Sequence, residues 1–398
     1  MMESSMNATS AVFLVSNVSN NKASTMSVMD DSGNLTSLAE NINKSSNNQE
    51  LHQRMCPTGF HENTEDLMCM KKINFDEQYK NPCWNPKVDD LACLPYFMII
   101  GMQKCGTTDL FRAMIKHVNI IPPRDRYGDM VKETHFFDAF HYGHKLDDFE
   151  PRQYLTFKDY RNMFSSLSTK IKKGNTSFIT GEATPAYLWR LYTWKLYPQN
   201  KNKTKPIVLL PDLVRHIIPN VKLIIVLREP VDRSRSSYFY SHSPKKPVEA
   251  FDKAFLGGLR LIKDCFKVKT EVDCILNDTL IMPFRKQVDH ILPGLYYYFI
   301  KEWFRAFPRE QFMIINFEDY KNNKTKTLNR IFKFLELSTL TEEEMINSGM
   351  VTKQAKNRGR QIRLSSLNSS TVSKLQEFFR PYNKLLLNLL NSSSFDWT

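Results

Sequence analysis

The feature that limits the fold most is the stretch Gly101-Met102-Gln103-Lys104-Cys105-Gly106-Thr107-Thr108. It joins two patterns that require different backbone geometries. Before it, residues 96–100 form an unbroken apolar run after Pro95, which reads as a short buried strand. After it, Leu110, Phe111, Met114, Ile115 and Val118 recur at helical spacing. A strand that passes through a glycine-bounded loop into a helix gathers backbone N–H groups and the positive end of the helix dipole around one point. That geometry suits a phosphate. The spacing nearly matches the G-x-x-x-x-G-K-[ST] loop of nucleoside triphosphate binders, but Thr107 stands where that lysine belongs and a lysine lies inside the loop at Lys104. An anion is therefore expected here. A machine acting on an ATP γ-phosphate is not, because it needs that lysine and a magnesium-binding acid after a strand.

Other segments extend the alternation. Lys222–Leu227 reads as a second buried strand running directly into Arg228-Glu229-Pro230, and residues 312–317 read as a third, after a helical stretch at 296–307. Residues 327–335 and 373–390 read as late amphipathic helices. Strands alternating with helices imply an α/β fold with a parallel sheet flanked by helices. Residues 1–50 are rich in Ser, Asn, Thr and Met and are expected to be a disordered or stem segment. Residues 51–94 hold four cysteines with Pro57, Pro82 and Pro86, and read as an irregular, disulfide-stapled lead-in. The main domain is expected from 95 to 398.

The chain carries 55 Lys and Arg against 42 Asp and Glu, a formal charge of +13 that favours polyanionic partners. No apolar run reaches the length of a transmembrane helix, so no membrane anchor is encoded in this chain. The best N-terminal apolar stretch, residues 11–15, is too short for a secretory signal. Two features still point to an oxidising secretory lumen. Asn-X-Ser/Thr acceptors occur at Asn7, Asn17, Asn34, Asn43, Asn175, Asn202, Asn277, Asn323, Asn368 and Asn391. Six of the seven cysteines also fall into neighbourly pairs, Cys56 with Cys69, Cys83 with Cys93 and Cys265 with Cys274, leaving Cys105. The pairing rests on proximity alone. A chain in that lumen without an anchor is a truncated sequence, an unusual isoform or a soluble secreted form. No cluster beyond the cysteine pairs has metal-ligand spacing, and no metal is expected.

Residues 97–110 resemble the 5′-phosphosulfate loop of the sulfotransferases that use 3′-phosphoadenylyl sulfate (PAPS). Their second hallmark, a strand ending in Arg with a Ser eight residues on, is matched by Arg228 and Ser236 in Arg228-Glu229-Pro230-Val231-Asp232-Arg233-Ser234-Arg235-Ser236. Further matches are Lys132-Glu133-Thr134-His135-Phe136-Phe137, Gly181-Glu182-Ala183-Thr184-Pro185-Ala186-Tyr187, Arg358-Gly359-Arg360 and the pair Cys265/Cys274. The resemblance covers roughly residues 95–390 and is strongest with the Golgi glycosaminoglycan sulfotransferases. Within them the N-acetylgalactosamine 4-sulfate 6-O-sulfotransferase type shares Gly-Glu-Ala-(Ser/Thr)-Pro and the late Phe379-Arg380-Pro381-Tyr382-Asn383. Heparan-type relatives commonly carry a lysine where this chain has Ala183.

The resemblance implies the PAPS sulfotransferase fold, a catalytic domain over 95–398, PAPS as donor substrate and a sulfated glycosaminoglycan as acceptor, with no nucleic acid. The expected reaction is sulfuryl transfer to C6 of N-acetylgalactosamine 4-sulfate in chondroitin or dermatan sulfate. The alternatives are a heparan sulfate glucosaminyl O-sulfotransferase and a non-catalytic glycan-binding relative. A cytosolic enzyme acting on small phenols is disfavoured, because that branch typically uses a histidine base. Glu133 is implied as general base, His135 as a group orienting the base or the acceptor, and Lys104 as the cation at the leaving oxygen. The donor is expected on Lys104, Cys105, Gly106, Thr107, Thr108, Arg228 and Ser236, under a late loop at Arg358, Gly359 and Arg360. Lys132, Arg124, Arg126 and Arg190 are expected to border an open basic cleft beside Glu133. The Golgi lumen, or secretion, is the expected location. Oligomeric state stays open.

Overall fold

The computed structural model describes residues 64–142, 154–241, 248–276, 284–352 and 368–397, with Ser27–Met29, Leu35–Ser37, Cys56, Gly59, Phe60 and His61. The chain divides into two compact units, 1–54 and 55–398. In the first, strands β1 (Ser27–Met29) and β2 (Leu35–Ser37) pair antiparallel. The expectation for residues 1–50 otherwise lies outside the described residues.

The second unit is built on five parallel strands: β5 (Phe97–Gly101), β6 (Ile120–Ile121), β7 (Ile179–Ala183), β8 (Lys222–Leu227) and β9 (Phe312–Asn316). Their spatial order is β6-β7-β5-β8-β9. From β5 the chain runs out to β6, returns through β7, crosses to β8 and ends the sheet at β9. The direction of winding thus reverses at β5, and the carboxyl ends of strands at such a point form a ligand crevice. The apolar runs of β5 and β8 explain their central place, since every residue of β5 is buried. In β9 buried and half-buried residues alternate, as an edge requires.

Helix α1 (Thr107–Met114) follows the β5 loop, α2 (Pro230–Ser241) follows β8, and the long helices α3 (Val248–Val268) and α4 (Ser369–Leu390) cover the flanks. The α/β expectation holds. The late helices begin earlier than their apolar spacing suggested, at Lys324 and Ser369, because Asn323 and Asn368 cap them with side-chain oxygens. Strand β7 has no strand-like sequence, yet all five of its residues are buried. The lead-in is less irregular than its prolines suggested. Strands β3 (Cys83–Lys87) and β4 (Asp90–Cys93) form a hairpin in which Cys83 faces Cys93.

All three neighbourly cysteine pairs are disulfides, and Cys105 is free and buried. Among the described residues no helix is long and apolar enough to cross a membrane. The acceptor asparagines Asn175, Asn202, Asn323, Asn368 and Asn391 are exposed.

Candidate active site

The site grows from the end of β5. The Met102 N–H donates to the Val226 carbonyl of β8 at 2.8 Å, and the Cys105 N–H donates back to the Met102 carbonyl at 3.2 Å. This folds the loop over the carboxyl edge of the sheet. Lys104 and Gly106 take left-handed φ values of 70° and 80°. Gly106 is required twice over, because a Cβ there would also stand 2.7 Å from the Phe317 ring. Gly106 is the N-cap of α1, whose first-turn N–H groups have no acceptor within the helix. The loop therefore ends in a rim of donors with positive dipole. Thr107 is buried in that first turn and Thr108 is exposed. The Cys105 side chain points away, into the core, where burial outweighs nearby Arg233 and Arg228 and pushes its thiol up to about 11. Cys105 thus shapes the loop, with its amide already engaged.

Arg228 leaves the end of β8. Its carbonyl accepts from the Tyr296 hydroxyl at 2.8 Å, and its guanidinium lies 5.0 Å from the centroid of the Phe317 ring. Phe317 directly follows β9, so one ring supports both Arg228 and the close turn at Gly106. The Arg228 Nε is buried with no hydrogen-bond partner, while Nη2 stands 3.6 Å from Asp232. Next, Glu229 caps α2 by accepting from the N–H groups of Val231 and Asp232 at 3.0 and 2.7 Å. Ser236 is half-buried on α2, one turn before Tyr240. The Lys104 Nζ lies 3.6 Å from the Tyr240 ring centroid, a cation–π contact. The loop lysine, Arg228 and the Ser236 face of α2 thus share the ends of β5 and β8. Of the other arginines in this motif, Arg233 is buried against the His290 carbonyl and Arg235 pairs with Asp232 at 3.0 Å.

The third part docks at the end of β7, where the Glu133 N–H donates to the Ala183 carbonyl at 2.9 Å. Glu133 and His135 both take left-handed φ values, 65° and 49°. Thr134 between them is anchored in the core. Its hydroxyl donates to Glu182 Oε2 at 2.5 Å and lies 2.9 Å from the Tyr187 hydroxyl. With Thr134 turned inward, its neighbours come together. His135 Nε2 stands 3.8 Å from Glu133 Oε2, and His135 Nδ1 donates to Asp138 Oδ2 at 3.0 Å. Lys132 pairs with Glu133 Oε1. Burial opposes charge on Glu133, but protonated His135, 3.8 Å away, and the Lys132 ammonium win and hold its carboxyl down at about 2. Burial likewise opposes charge on His135, but buried Asp138 raises it to about 9. At neutral pH the group is a carboxylate between two cations.

Several placements differ from expectation. Arg190 does not line a cleft; it is buried and its Nη1 lies 3.5 Å from Asp138 Oδ2. Arg124 and Arg126 are exposed on a local turn, where Arg124 bonds the Gly128 carbonyl and Arg126 covers the Tyr127 ring. Arg358, Gly359 and Arg360 lie outside the described residues. Asp138, Glu182, Tyr187, Phe317 and Tyr240 were not singled out from the sequence as site residues, although Glu182 and Tyr187 lie inside a quoted motif.

The Sulfotransferase domain model matches residues 94–381. The human protein Carbohydrate sulfotransferase 15 is 30% identical over 77% of this chain and 55% of its own length. The Dictyostelium discoideum Membrane-associated sulfotransferase kil1 is 24% identical over 82% of this chain and 72% of its own. The human Bifunctional heparan sulfate N-deacetylase/N-sulfotransferase 3 is 22% identical over 79% of this chain and 33% of its own. The chain spans about half the length of the first of these relatives. With three strand ends carrying the family's motifs and the domain model covering most of the second unit, the chain belongs to the sulfotransferase domain family.

Proposed function

We propose that this protein transfers a sulfuryl group from PAPS to a hydroxyl of a sulfated glycosaminoglycan, at C6 of N-acetylgalactosamine 4-sulfate in chondroitin or dermatan sulfate. The observation that carries this reading is the convergence of Lys104, Arg228, Ser236 and Glu133 on the carboxyl ends of β5, β8 and β7. In this mechanism Glu133 takes the proton of the acceptor hydroxyl while its oxygen bonds to sulfur and the bond from sulfur to the phosphate oxygen breaks. Lys104 leaves the Tyr240 ring to offset charge on that departing oxygen. Arg228 and Ser236 hold the 3′-phosphate; the unpartnered Arg228 Nε suits an anion that supplies its missing acceptor. The α1 rim holds the 5′-phosphate, and His135 aligns Glu133.

The acceptor assignment is supported by the higher identity to Carbohydrate sulfotransferase 15, 30% against 22% for the heparan-type relative. Ala183 in place of the heparan-type lysine adds to it. The three disulfides and the exposed acceptor asparagines support an oxidising lumen, that of the Golgi or of secretion. The test is incubation with radiolabelled-sulfate PAPS and chondroitin 4-sulfate, dermatan sulfate, desulfated chondroitin and heparan sulfate, followed by disaccharide analysis. Label in a 4,6-disulfated disaccharide is expected, with desulfated chondroitin a poorer acceptor. A preference for heparan sulfate overturns the acceptor, and no transfer to any of them overturns the reaction.

A further inference from the structure

We propose that a lysine-lined groove remote from Glu133 is a second binding site for the sulfated glycan, engaging the chain beyond the sugar that reacts. The proposal rests on the glycosaminoglycan reading above. The groove, of about 840 Å³, opens between the 3₁₀ helix Arg190–Leu196, the loop at 203–205 and the turn at 267–270. Lys195, Lys203, Lys205, Lys267 and Lys269 line it and are all exposed. Asp273 is the one acid in the lining, and its carboxylate already accepts from the Thr270 hydroxyl at 2.7 Å. Lys267 is already paired with Asp264 at 2.7 Å, outside the lining; the surplus of lysines over acids still makes a local field that concentrates a polyanion.

The walls are held in place. The Cys265–Cys274 disulfide clamps both sides of the turn. The Trp194 indole N–H donates to the Leu276 carbonyl at 2.7 Å, tying the 3₁₀ helix to the same region. Asn200 closes the loop, donating to the Trp194 and Val208 carbonyls at 2.7 Å each and accepting from the Ile207 N–H at 2.9 Å. The frame fixes the points from which the lysine side chains leave the backbone, and the exposed ammonium groups order on the polyanion.

The lining chooses among polyanions. It holds no aromatic ring on which a base could stack, as single-stranded nucleic acid binding requires. Val268 is its only apolar side chain, too little to enter a bilayer. A sulfated polysaccharide needs neither. One element also joins the groove to the surroundings of His135. Arg190, which pairs with Asp138 beside His135, starts the 3₁₀ helix on which Lys195 lies. At about 2 Å per residue, Lys195 lies roughly 10 Å further along, within reach of one extended polymer.

The test is the triple variant Lys203→Ala, Lys205→Ala, Lys269→Ala of the full chain. Exposed ion pairs are individually weak, so roughly twofold per lysine gives about a tenfold rise in KM for polymeric chondroitin 4-sulfate. The kcat, the KM for a chondroitin 4-sulfate tetrasaccharide and the affinity for adenosine 3′,5′-bisphosphate are expected to be unchanged. An unchanged polymer KM overturns the proposal, as does an equal rise for the tetrasaccharide. A loss confined to binding of a single-stranded oligonucleotide or of phosphatidylserine vesicles also overturns it. If the wild type sulfates no chondroitin acceptor, the functional reading fails and the groove is judged separately. Earlier salt elution of the variant than of the wild type from immobilised chondroitin 4-sulfate supports the groove, and identical elution sinks it.

Discussion

A carboxylate held at about 2 is a weak base, and Glu133 owes that value to His135 and Lys132 overcoming its burial. The two cations have different partners. His135 is fixed by buried Asp138, whereas Lys132, its side chain 12% exposed, is held by its pair with Glu133. In the proposed mechanism a sulfate on the incoming acceptor would compete for Lys132, whose departure would raise the basicity of Glu133 as the hydroxyl arrives. Glu133→Gln should therefore cost about 10²–10⁴ in kcat while leaving bisphosphate affinity unchanged. Lys132→Ala removes a charge that favours the ionised carboxylate, so the Glu133 carboxyl rises from about 2 and the acid limb of kcat/KM moves to higher pH. The alkaline limb should stay near 9, where His135 loses its proton and the charge that faces Glu133. Near-native turnover in the glutamine variant, or an acid limb that stays put in the alanine variant, refutes these roles.

At the scale of elements, the strand that anchors this segment is the one its sequence concealed. Strands β5, β8 and β9 were legible within a residue at either end, because each is a bounded apolar run. Strand β7 reads Ile-Thr-Gly-Glu-Ala, with two polar residues and a glycine, and neither strand pattern fits it. It is buried because of contacts that only the tertiary structure supplies. Gly181 is needed beneath the Phe97 ring, where a Cβ would stand 2.4 Å from it. Glu182 is satisfied by hydroxyls of Thr134, Tyr160 and Thr184 at 2.5, 2.8 and 3.4 Å. The two donor motifs could be read locally because each lies on one strand and its following loop. Phe317 and Tyr240 could not, since each meets its partner across the sheet edge. Burial outweighs the three hydroxyls and pushes the Glu182 carboxyl up to about 7. Its folded value lies above the ordinary 4.5, so wild-type stability falls as pH rises from about 4.5 through 7. Glu182→Gln should abolish that fall in thermal melts while keeping an acceptor for Thr134. Glu182→Ala leaves buried hydroxyls unpaired at about 1–3 kcal/mol each and frees the Lys132–His135 segment. Its kcat should drop about tenfold or more with bisphosphate affinity unchanged, and the glutamine variant should recover most of it. Equal kcat in the alanine variant and the wild type would show that Glu182 serves only the core.

Across the whole molecule the surplus of +13 is larger than one nucleotide donor requires, and the structure divides it by depth. At the proposed donor end the charge is enclosed, since the Arg228 side chain is 15% exposed and lies against Phe317. At the groove proposed for the glycan it is open, on exposed lysines. Salt acts unequally on these two kinds of charge. Near physiological ionic strength exposed charges are screened over about 8–10 Å, while enclosed pairs keep most of their interaction. The KM for polymeric chondroitin 4-sulfate should therefore climb steeply between low and physiological salt, and the KM for PAPS should climb much less. The triple lysine variant should flatten the polymer's dependence without touching that of PAPS, because it removes open charges alone. Parallel salt slopes for donor and polymer would mean that the surplus is spread evenly over the surface and steers neither substrate.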